Sequence, residues 1–312
     1  MENRILGLHH ITAIAGDPQR NYDFYVKTLG LRLVKKTVNF DDPQTYHFYF
    51  GNEVGTPGTI LTFFPWPRVK QGTNGVGMAT EIGYSVPVGS LDFWKARFER
   101  LGVSHSAINQ KFGERYLAFQ DPDGLNISLI EVKSEDDRKP FETNEIKHGN
   151  AIRGFHTVTL LLHDIEATAT ILTDVFGYRF VSKEGNLSRY QTDAVDYAAT
   201  IDLMEMPGAP RGINAGGTNH HIAFRVANED ALMAFREKIQ ARGLHITEKI
   251  DRDYFYSLYF REPGGVLFEI ATDNPGFAID ESIEALGTSL KLPKQYESLR
   301  PRIENILPKI ET

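Results

Sequence analysis

Two histidine doublets and one glutamate have the residue types of a metal site. The pairs His9-His10 and His220-His221 each open a short run of strand-forming residues, and Glu269 lies in a third such run. Two imidazoles and one carboxylate on converging strands would bind a metal through three ligands and leave coordination positions open. The pattern therefore predicts a metalloenzyme.

Strand geometry selects one histidine from each doublet. Neighbouring residues of a strand point to opposite faces of a sheet, so only one imidazole of each pair is expected to face the interior. His220 shares its face with apolar side chains that suit packing beneath a helix, whereas His221 does not. We assign His10, His221 and Glu269 as ligands and expect His9 and His220 on the other face. The alternative is that these are ordinary strand histidines without a metal. That interpretation suits a single isolated histidine better than two matched pairs accompanied by a carboxylate.

The composition limits the classes of protein. The chain has 312 residues, of which 41% are hydrophobic, and this length and composition suit two globular domains. The formal net charge of -7 gives no basic surface for nucleic acid. Neither a membrane-spanning run nor a signal sequence is evident, so the prediction is a cytoplasmic protein without a membrane partner. With no cysteine, a metal has to be bound by histidine and carboxylate side chains.

An internal repeat explains why the doublets stand in matching places. Four amphipathic helix patterns, each ended by a glycine, recur at similar intervals at 17–29, 90–101, 164–176 and 228–242. Strand patterns flank each helix, which predicts four βαβββ modules near 5–66, 78–133, 153–206 and 217–273. The polar segment 134–150 reads as a link between two halves. We therefore predict an N-terminal pair of modules at 1–135, a C-terminal pair at 151–275 and an extension at 276–312.

Three motifs in order carry a resemblance to a known superfamily. GLHHIT at 7–12, NHHIAF at 219–224 and PGGVLFE at 263–269 resemble the branch of the vicinal oxygen chelate superfamily that opens the ring of hydroquinones. The resemblance covers essentially the whole chain. It implies an α+β fold in which paired βαβββ modules build two open-barrel domains, and it places the metal ligands at the same three residues.

The absence of a fourth ligand guides the choice of chemistry. Aligning module one with module four by their Pro-Gly turns places Phe63 at the position of Glu269. Glyoxalase-like and epimerase members of the superfamily generally have a fourth protein ligand there, and a phenylalanine cannot coordinate a metal. Two histidines and one carboxylate are the ligand set of iron(II) oxygenases.

The other two modules lack a comparable set of ligands. Their aligned positions carry Glu81, Ser128, Thr157 and approximately Leu203, which predicts a second cavity without metal. Glu81 and the nearby His156 are interpreted as structural residues.

Further residues near the ligands can handle substrate and protons. Tyr259 and Arg252 precede Glu269 in the adjoining strand region, where a phenol could donate to a substrate oxygen and a guanidinium could stabilise anionic charge. The resemblance supports catalytic roles for both, and for His9 and His220 as neighbours of the ligands that orient them or relay protons. Amphipathic packing of Tyr259 and a solvated surface charge on Arg252 are the alternatives.

These observations predict an iron(II)-dependent, extradiol-type dioxygenase that cleaves a hydroquinone or related dihydroxylated aromatic ring with O2. Zinc, nickel or copper can also occupy such a site during purification. Two alternatives remain open: a glyoxalase-like metal-dependent lyase or isomerase, and a non-catalytic protein that sequesters an aromatic ligand. A homo-oligomer is compatible with the sequence.

Overall fold

The computed structural model describes residues 3–134 and 136–312, and it contains the four predicted βαβββ modules. Each helix of modules one and three begins as an α-helix and continues as a turn of π-helix. The elements of module one are β1 (Leu8–Ala15), α1 (Pro18–Tyr22, continued by Asp23–Thr28), β2 (Arg32–Val38), β3 (Tyr46–Gly51) and β4 (Ile60–Pro65). Those of module two are β5 (Met78–Val86), α2 (Leu91–Leu101), β6 (His105–Lys111), β7 (Glu114–Gln120) and β8 (Asn126–Glu131).

The second half of the chain repeats this order. Module three consists of β9 (Gly154–Leu162), α3 (Glu166–Thr170, continued by Ile171–Val175), β10 (Arg179–Glu184), β11 (Leu187–Gln191) and β12 (Thr200–Glu205). Module four consists of β13 (Thr218–Val226), α4 (Glu229–Ala241), β14 (Ile250–Asp251), β15 (Phe255–Arg261) and β16 (Leu267–Pro275). Short 3-10 turns and α5 (Arg300–Ile306) follow. Among the described residues, no helix has the length and apolar character required to cross a membrane.

The strands form two curled sheets of eight strands, each made from two modules. The first sheet has the order β14-β15-β16-β13-β1-β4-β3-β2, and the second has the order β10-β11-β12-β9-β5-β8-β7-β6. Modules one and four therefore share one sheet, and modules two and three share the other. The α+β fold with two open barrels is confirmed at this level.

Each sheet combines one module from each half of the chain. Each sheet is joined through the first strands of its two modules, since β1 pairs antiparallel with β13 and β5 pairs antiparallel with β9. The predicted halves 1–135 and 151–275 thus contribute one module to each sheet, and their boundary residue Glu135 lies outside the described residues. The segment between β4 and β5 pairs with the segment between β12 and β13 through Gln71↔Gly216 and Thr73↔Ile213.

Apolar packing between the helices and one face of each sheet forms the core. Beneath α1, the ring of Tyr25 lies 4.6 Å from that of Phe63 and 5.2 Å from that of Phe50. Beneath α4, the ring of Phe176 packs against Phe224 on β13 and against Phe235 of the helix. Burial of these large rings stabilises the modules and leaves the opposite face of each sheet, called the inner face below, available for polar side chains.

The C-terminal extension 276–312 packs against module one through buried polar contacts. Lys35 on β2 is fully buried, and its Nζ lies 2.6 Å from carboxylate oxygens of both Asp280 and Glu281. Tyr46 donates to the backbone oxygen of Pro308, and Tyr296 donates to that of Phe40. The extension thus holds β2, β3 and the loop after β2.

Removing the charge of Lys35 will test this attachment. Lys35→Met leaves two carboxylates without their buried partner, so we expect the free energy of unfolding to fall by about 3–5 kcal/mol. The neighbouring Lys36 is half-buried and makes no ion pair among the described residues, so Lys36→Met should cost about 1 kcal/mol or less. Urea denaturation measures both values, and equal losses would contradict the assigned role.

Candidate metal centre

The candidate site lies where β1 and β13 pair at the centre of the first sheet. The register of this pair shifts twice, once between Leu8 and His10 and once between Thr12 and Ala13. The first shift leaves His9 as an extra residue in β1, and the second leaves His220 as an extra residue in β13. Each strand therefore has a β-bulge, and the bulged residue is the first histidine of each doublet.

These bulges correct the expectation that only one histidine of each doublet faces the site. The ring of His9 packs 5.1 Å from that of His10 and 5.2 Å from that of Phe255, a residue of the inner face. His220 lines the same cavity as His221 instead of packing beneath a helix. A bulge interrupts the alternation of side chains, which is why both imidazoles of a pair reach the inner face.

Three side chains converge on the inner face. The Nε2 atoms of His10 and His221 lie 3.1 and 2.9 Å from the same carboxylate oxygen of Glu269. All three residues are buried, and one ligand atom from each lies within 4.8 Å of the others. No side chain in the described part of the chain makes a well-directed hydrogen bond to either Glu269 oxygen. A buried, unbonded carboxylate is costly, so this arrangement fits a bound cation.

The protonation states suit metal binding. Burial lowers the pKa of His221, against the opposing effect of Glu269. For Glu269, burial would raise the pKa, but the His10 and His221 imidazoles beside it hold the pKa well below its usual range. A neutral imidazole and an ionised carboxylate are the forms that coordinate a metal.

The bulged histidines contact the ligand histidines. The two Nδ1 atoms of His9 and His10 are 2.9 Å apart, and those of His220 and His221 are 2.7 Å apart. Such a contact needs one protonated and one unprotonated nitrogen. Burial lowers the pKa of His9 well below its usual value and that of His220 to about 3, so both stay neutral and can accept. His10 and His221 would then carry their proton on Nδ1 and keep Nε2 free for a metal.

Tyr259 and Arg252 both lie at this site. Tyr259 pairs across the strands with Glu269, and its ring is 5.6 Å from that of His221. The guanidinium of Arg252 is 5.4 Å from the Tyr259 ring and 3.9 Å from a carboxylate oxygen of Asp41. Burial raises the pKa of Tyr259, which keeps the phenol protonated as a donor at neutral pH.

A cavity of about 300 Å³ opens over these residues. Most of its surface is apolar, several of its lining residues are aromatic, and its polar groups come from several strands, which is typical of a small-molecule site. The lining residues are His10, Thr12, Asn39, Phe40, Asp41, His47, Tyr49, Phe64, Trp66, His220, His221, Arg252, Phe255, Tyr259 and Leu267.

Known proteins share this arrangement of modules. The family model described as the Glyoxalase/Bleomycin resistance protein/Dioxygenase superfamily matches residues 7–129 and 154–270. The chain belongs to this superfamily. Among curated relatives of the superfamily, it is 46% identical over 309 residues to MhqO of Bacillus subtilis, named as a candidate ring-cleaving dioxygenase, covering 99% of this chain and 98% of that protein.

Two further comparisons extend over nearly the whole chain. The chlorohydroquinone/hydroquinone 1,2-dioxygenase of Sphingobium indicum is 36% identical over 311 residues, covering 97% of this chain and 96% of that protein. The crystal structure of a candidate dioxygenase from Bacillus subtilis superposes with a TM-score of 0.95 at 45% identity, covering 99% of this chain and 98% of that one. The resemblance inferred from the sequence is therefore confirmed.

The residue of module one that corresponds to Glu269 differs from the one given by the sequence alignment. Two residues beyond His221, Ala223 pairs with Glu269. Two residues beyond His10, Thr12 pairs with Thr62. Thr62 is therefore the counterpart of Glu269.

Phe63 packs on the opposite face, beneath α1 against Tyr25. The alignment by Pro-Gly turns was wrong by one residue because Thr62 stands five residues after Pro57, whereas Glu269 stands six after Pro263. The conclusion that module one offers no carboxylate at this position still holds, with Thr62 as the reason.

The sequence patterns did not single out His47, which lines the cavity. Its Nε2 lies 2.9 Å from the Thr62 hydroxyl and its Nδ1 lies 3.0 Å from the Tyr49 hydroxyl, while Thr62 also bonds to Thr12. His47 and Tyr49 stand two apart in β3, so alternation alone could have placed both on the inner face. This buried network fixes the wall of the cavity beside the three ligands.

Ion pairs occupy the corresponding region of the second sheet. Glu81 accepts from Lys111 at 2.6 Å and from Ser128 at 2.7 Å, and Arg189 forms two bonds to Asp202. The same register places Asp202, not Leu203, opposite Thr159, two residues beyond Thr157.

His156 lies 2.7 Å from Glu114, which also pairs with Arg189. Both Glu81 and His156 thus have structural partners. Among the residues that the structure describes, the cluster His10, His221 and Glu269 is the one set of three converging metal-binding side chains.

The contact between paired histidines predicts graded effects on metal affinity. His10→Ala removes a ligand and should abolish stoichiometric binding of iron(II) or zinc. His9→Phe and His220→Phe remove only the acceptor for a ligand's Nδ1–H and should weaken binding about 10–100-fold. Competition with a chromogenic chelator measures the affinities, with the exposed His163→Ala as control. Unchanged affinity in both phenylalanine variants would refute the orienting role.

A pair of glutamate substitutions distinguishes the two faces of β4. Thr62→Glu adds a carboxylate on the inner face, so we expect it to alter the visible spectrum of the cobalt(II)-loaded protein, while Thr62→Ser does not. Phe63→Glu should leave that spectrum unchanged and lower the free energy of unfolding by about 3–5 kcal/mol, because it buries an unpaired carboxylate beneath α1. The reverse result would restore Phe63 as the counterpart of Glu269.

Proposed function

We propose that this chain is an iron(II)-dependent, extradiol-type dioxygenase that cleaves the ring of a hydroquinone or a related dihydroxylated aromatic. The observation that carries the proposal is the cluster of His10, His221 and Glu269 at the wall of an aromatic cavity of about 300 Å³. Relatives named for ring cleavage, including one named for hydroquinone, match this chain over nearly its whole length. The proposal includes O2 as co-substrate.

The ligand set supports iron(II) as the metal. Two imidazole nitrogens and one carboxylate oxygen, with other positions open, are typical of non-haem iron(II) oxygenases. Iron(II) bound there would supply the one-electron chemistry that the reaction of O2 with a closed-shell aromatic ring requires. The remaining steps depend on how the protein binds and orients the ring.

Aromatic walls favour a flat, largely apolar substrate. Phe64, Trp66 and Phe255 line the cavity and can cover the faces of one ring while excluding water. Tyr259 can donate its phenolic proton in a hydrogen bond to a substrate oxygen near the ligands. The cationic Arg252 beside it would stabilise a phenolate form of the substrate.

The overall reaction balances with O2 alone. One ring carbon–carbon bond beside a hydroxyl-bearing carbon breaks, and both atoms of O2 enter the product. The hydroxyl-bearing carbon becomes a carboxyl group and its former neighbour becomes a carbonyl. No further oxidant or reductant is consumed, and the product carries an ionised carboxylate at neutral pH.

Two features favour this proposal over the alternatives. A lyase or isomerase with four protein ligands would need a ligand at Thr62, whose hydroxyl is engaged with Thr12 and His47. A protein that only sequesters an aromatic ligand would have no use for histidines oriented by buried partners.

Oxygen uptake tests the proposal directly. After anaerobic loading with iron(II), we expect uptake of one O2 per hydroquinone consumed, and none above the metal-free background for His221→Ala. Tyr259→Phe should lower kcat about 10²–10³-fold because it removes one donor to developing negative charge. Tyr256→Phe, on the same strand but outside the cavity, is the matched control. Absence of uptake with every hydroquinone and catechol tried would refute the proposal.

A further inference from the structure

A second, smaller cavity adjoins the aromatic one. It has a volume of about 200 Å³, and His220, His221 and Leu267 line both cavities, so the two cavities adjoin at these side chains. The smaller cavity has no aromatic ring other than the two imidazoles. Its other walls come from the start of β5 and β13, from the segments that precede these two strands, and from the turn before β16.

Two arginines give this cavity its charge. Arg261 donates from Nη1 to the backbone oxygen of Gly265 at 2.6 Å. The Nη2 atom of Arg211 lies 3.5 Å from the position that a β-carbon on Gly265 would occupy. The two guanidiniums thus flank one glycine, and a side chain there would meet Arg211.

Neither arginine is neutralised within the described part of the chain. Arg211 and Arg261 both line the cavity from its solvent-exposed side, and no carboxylate among the described residues lies within 4.0 Å of either guanidinium. Two cations on the wall of one cavity favour a bound anion, and guanidinium groups bind carboxylates through paired hydrogen bonds.

A buried acceptor lines the same cavity. Asn219 is 2% exposed and donates from Nδ2 to the backbone oxygen of Ala79, whereas its Oδ1 has no partner among the described residues. An unbonded, buried carbonyl oxygen is unfavourable, so it fits a ligand with a hydroxyl or another donor group. The cavity therefore combines donors for an anion with one acceptor.

We propose that Arg211 and Arg261 form a carboxylate-binding pocket next to the ring-cleavage cavity. The inference rests on the proposed function, because ring opening produces a carboxylate in the adjoining aromatic cavity. The pocket would hold the carboxylate of the open-chain product as it leaves the ligands. A carboxylate still attached to a substrate ring has the same chemistry, so the test includes both sources.

Titration calorimetry with anaerobic, iron(II)-loaded protein tests the pocket without relying on turnover. The probes are cis,cis-muconate, an open-chain six-carbon dicarboxylate, and 2,5-dihydroxybenzoate, in which carboxylate and ring stay joined. We expect Arg211→Gln and Arg261→Gln each to weaken muconate binding about tenfold or more, because each loses a charge-assisted hydrogen bond. The exposed Arg302→Gln, on α5, is the matched control and should bind like the wild type.

The outcomes separate the pocket from the proposed function. Weaker binding of muconate alone assigns the pocket to the product, and weaker binding of dihydroxybenzoate assigns it to a carboxylated substrate. If neither probe loses affinity in either variant, the pocket is refuted, even when oxygen uptake is normal. If both arginines matter for binding but no aromatic supports oxygen uptake, the pocket stands and the dioxygenase proposal fails.

Discussion

The antiparallel pairing of β1 with β13 is the constraint on which the candidate site depends. It joins the first and fourth modules in one sheet, and β16 then adds Glu269 beside β13. The two bulges in this pair are as important as the pairing itself. Without them the alternation of side chains would carry His9 and His220 to the helix side, and the ligand histidines would lose their buried acceptors.

The two sheets accommodate the polar side chains of their inner faces in different ways. Both have an inner face on which polar side chains from two modules meet, away from the helices. In the second sheet those side chains neutralise each other, as Arg189 does with Asp202 and Lys111 does with Glu81. In the first sheet a buried carboxylate faces the imidazoles of His10 and His221, and a metal is the partner that such a set suits.

The sequence predicts the modules and the three converging residues well, because both depend on patterns that repeat. Helix periodicity and helix-ending glycines are local signals, and the doublets stand at equivalent places in two modules. Features that depend on strand register or on long-range pairing are harder to predict from the sequence. His10 and His221 do converge with Glu269, but the simple alternation used to single them out fails at the bulges. The turn before β4 is one residue shorter than the turn before β16, so the alignment gave Phe63 instead of Thr62 as the counterpart of Glu269.

The pairing of module one with module four has a consequence for biosynthesis. A ribosome releases module one long before module four, so the edge of β1 that will meet β13 has no partner during most of translation. The second sheet, built from the two middle modules, can close earlier. The three converging residues come together only after Glu269 has left the exit tunnel, so a truncated chain that lacks module four cannot assemble the centre.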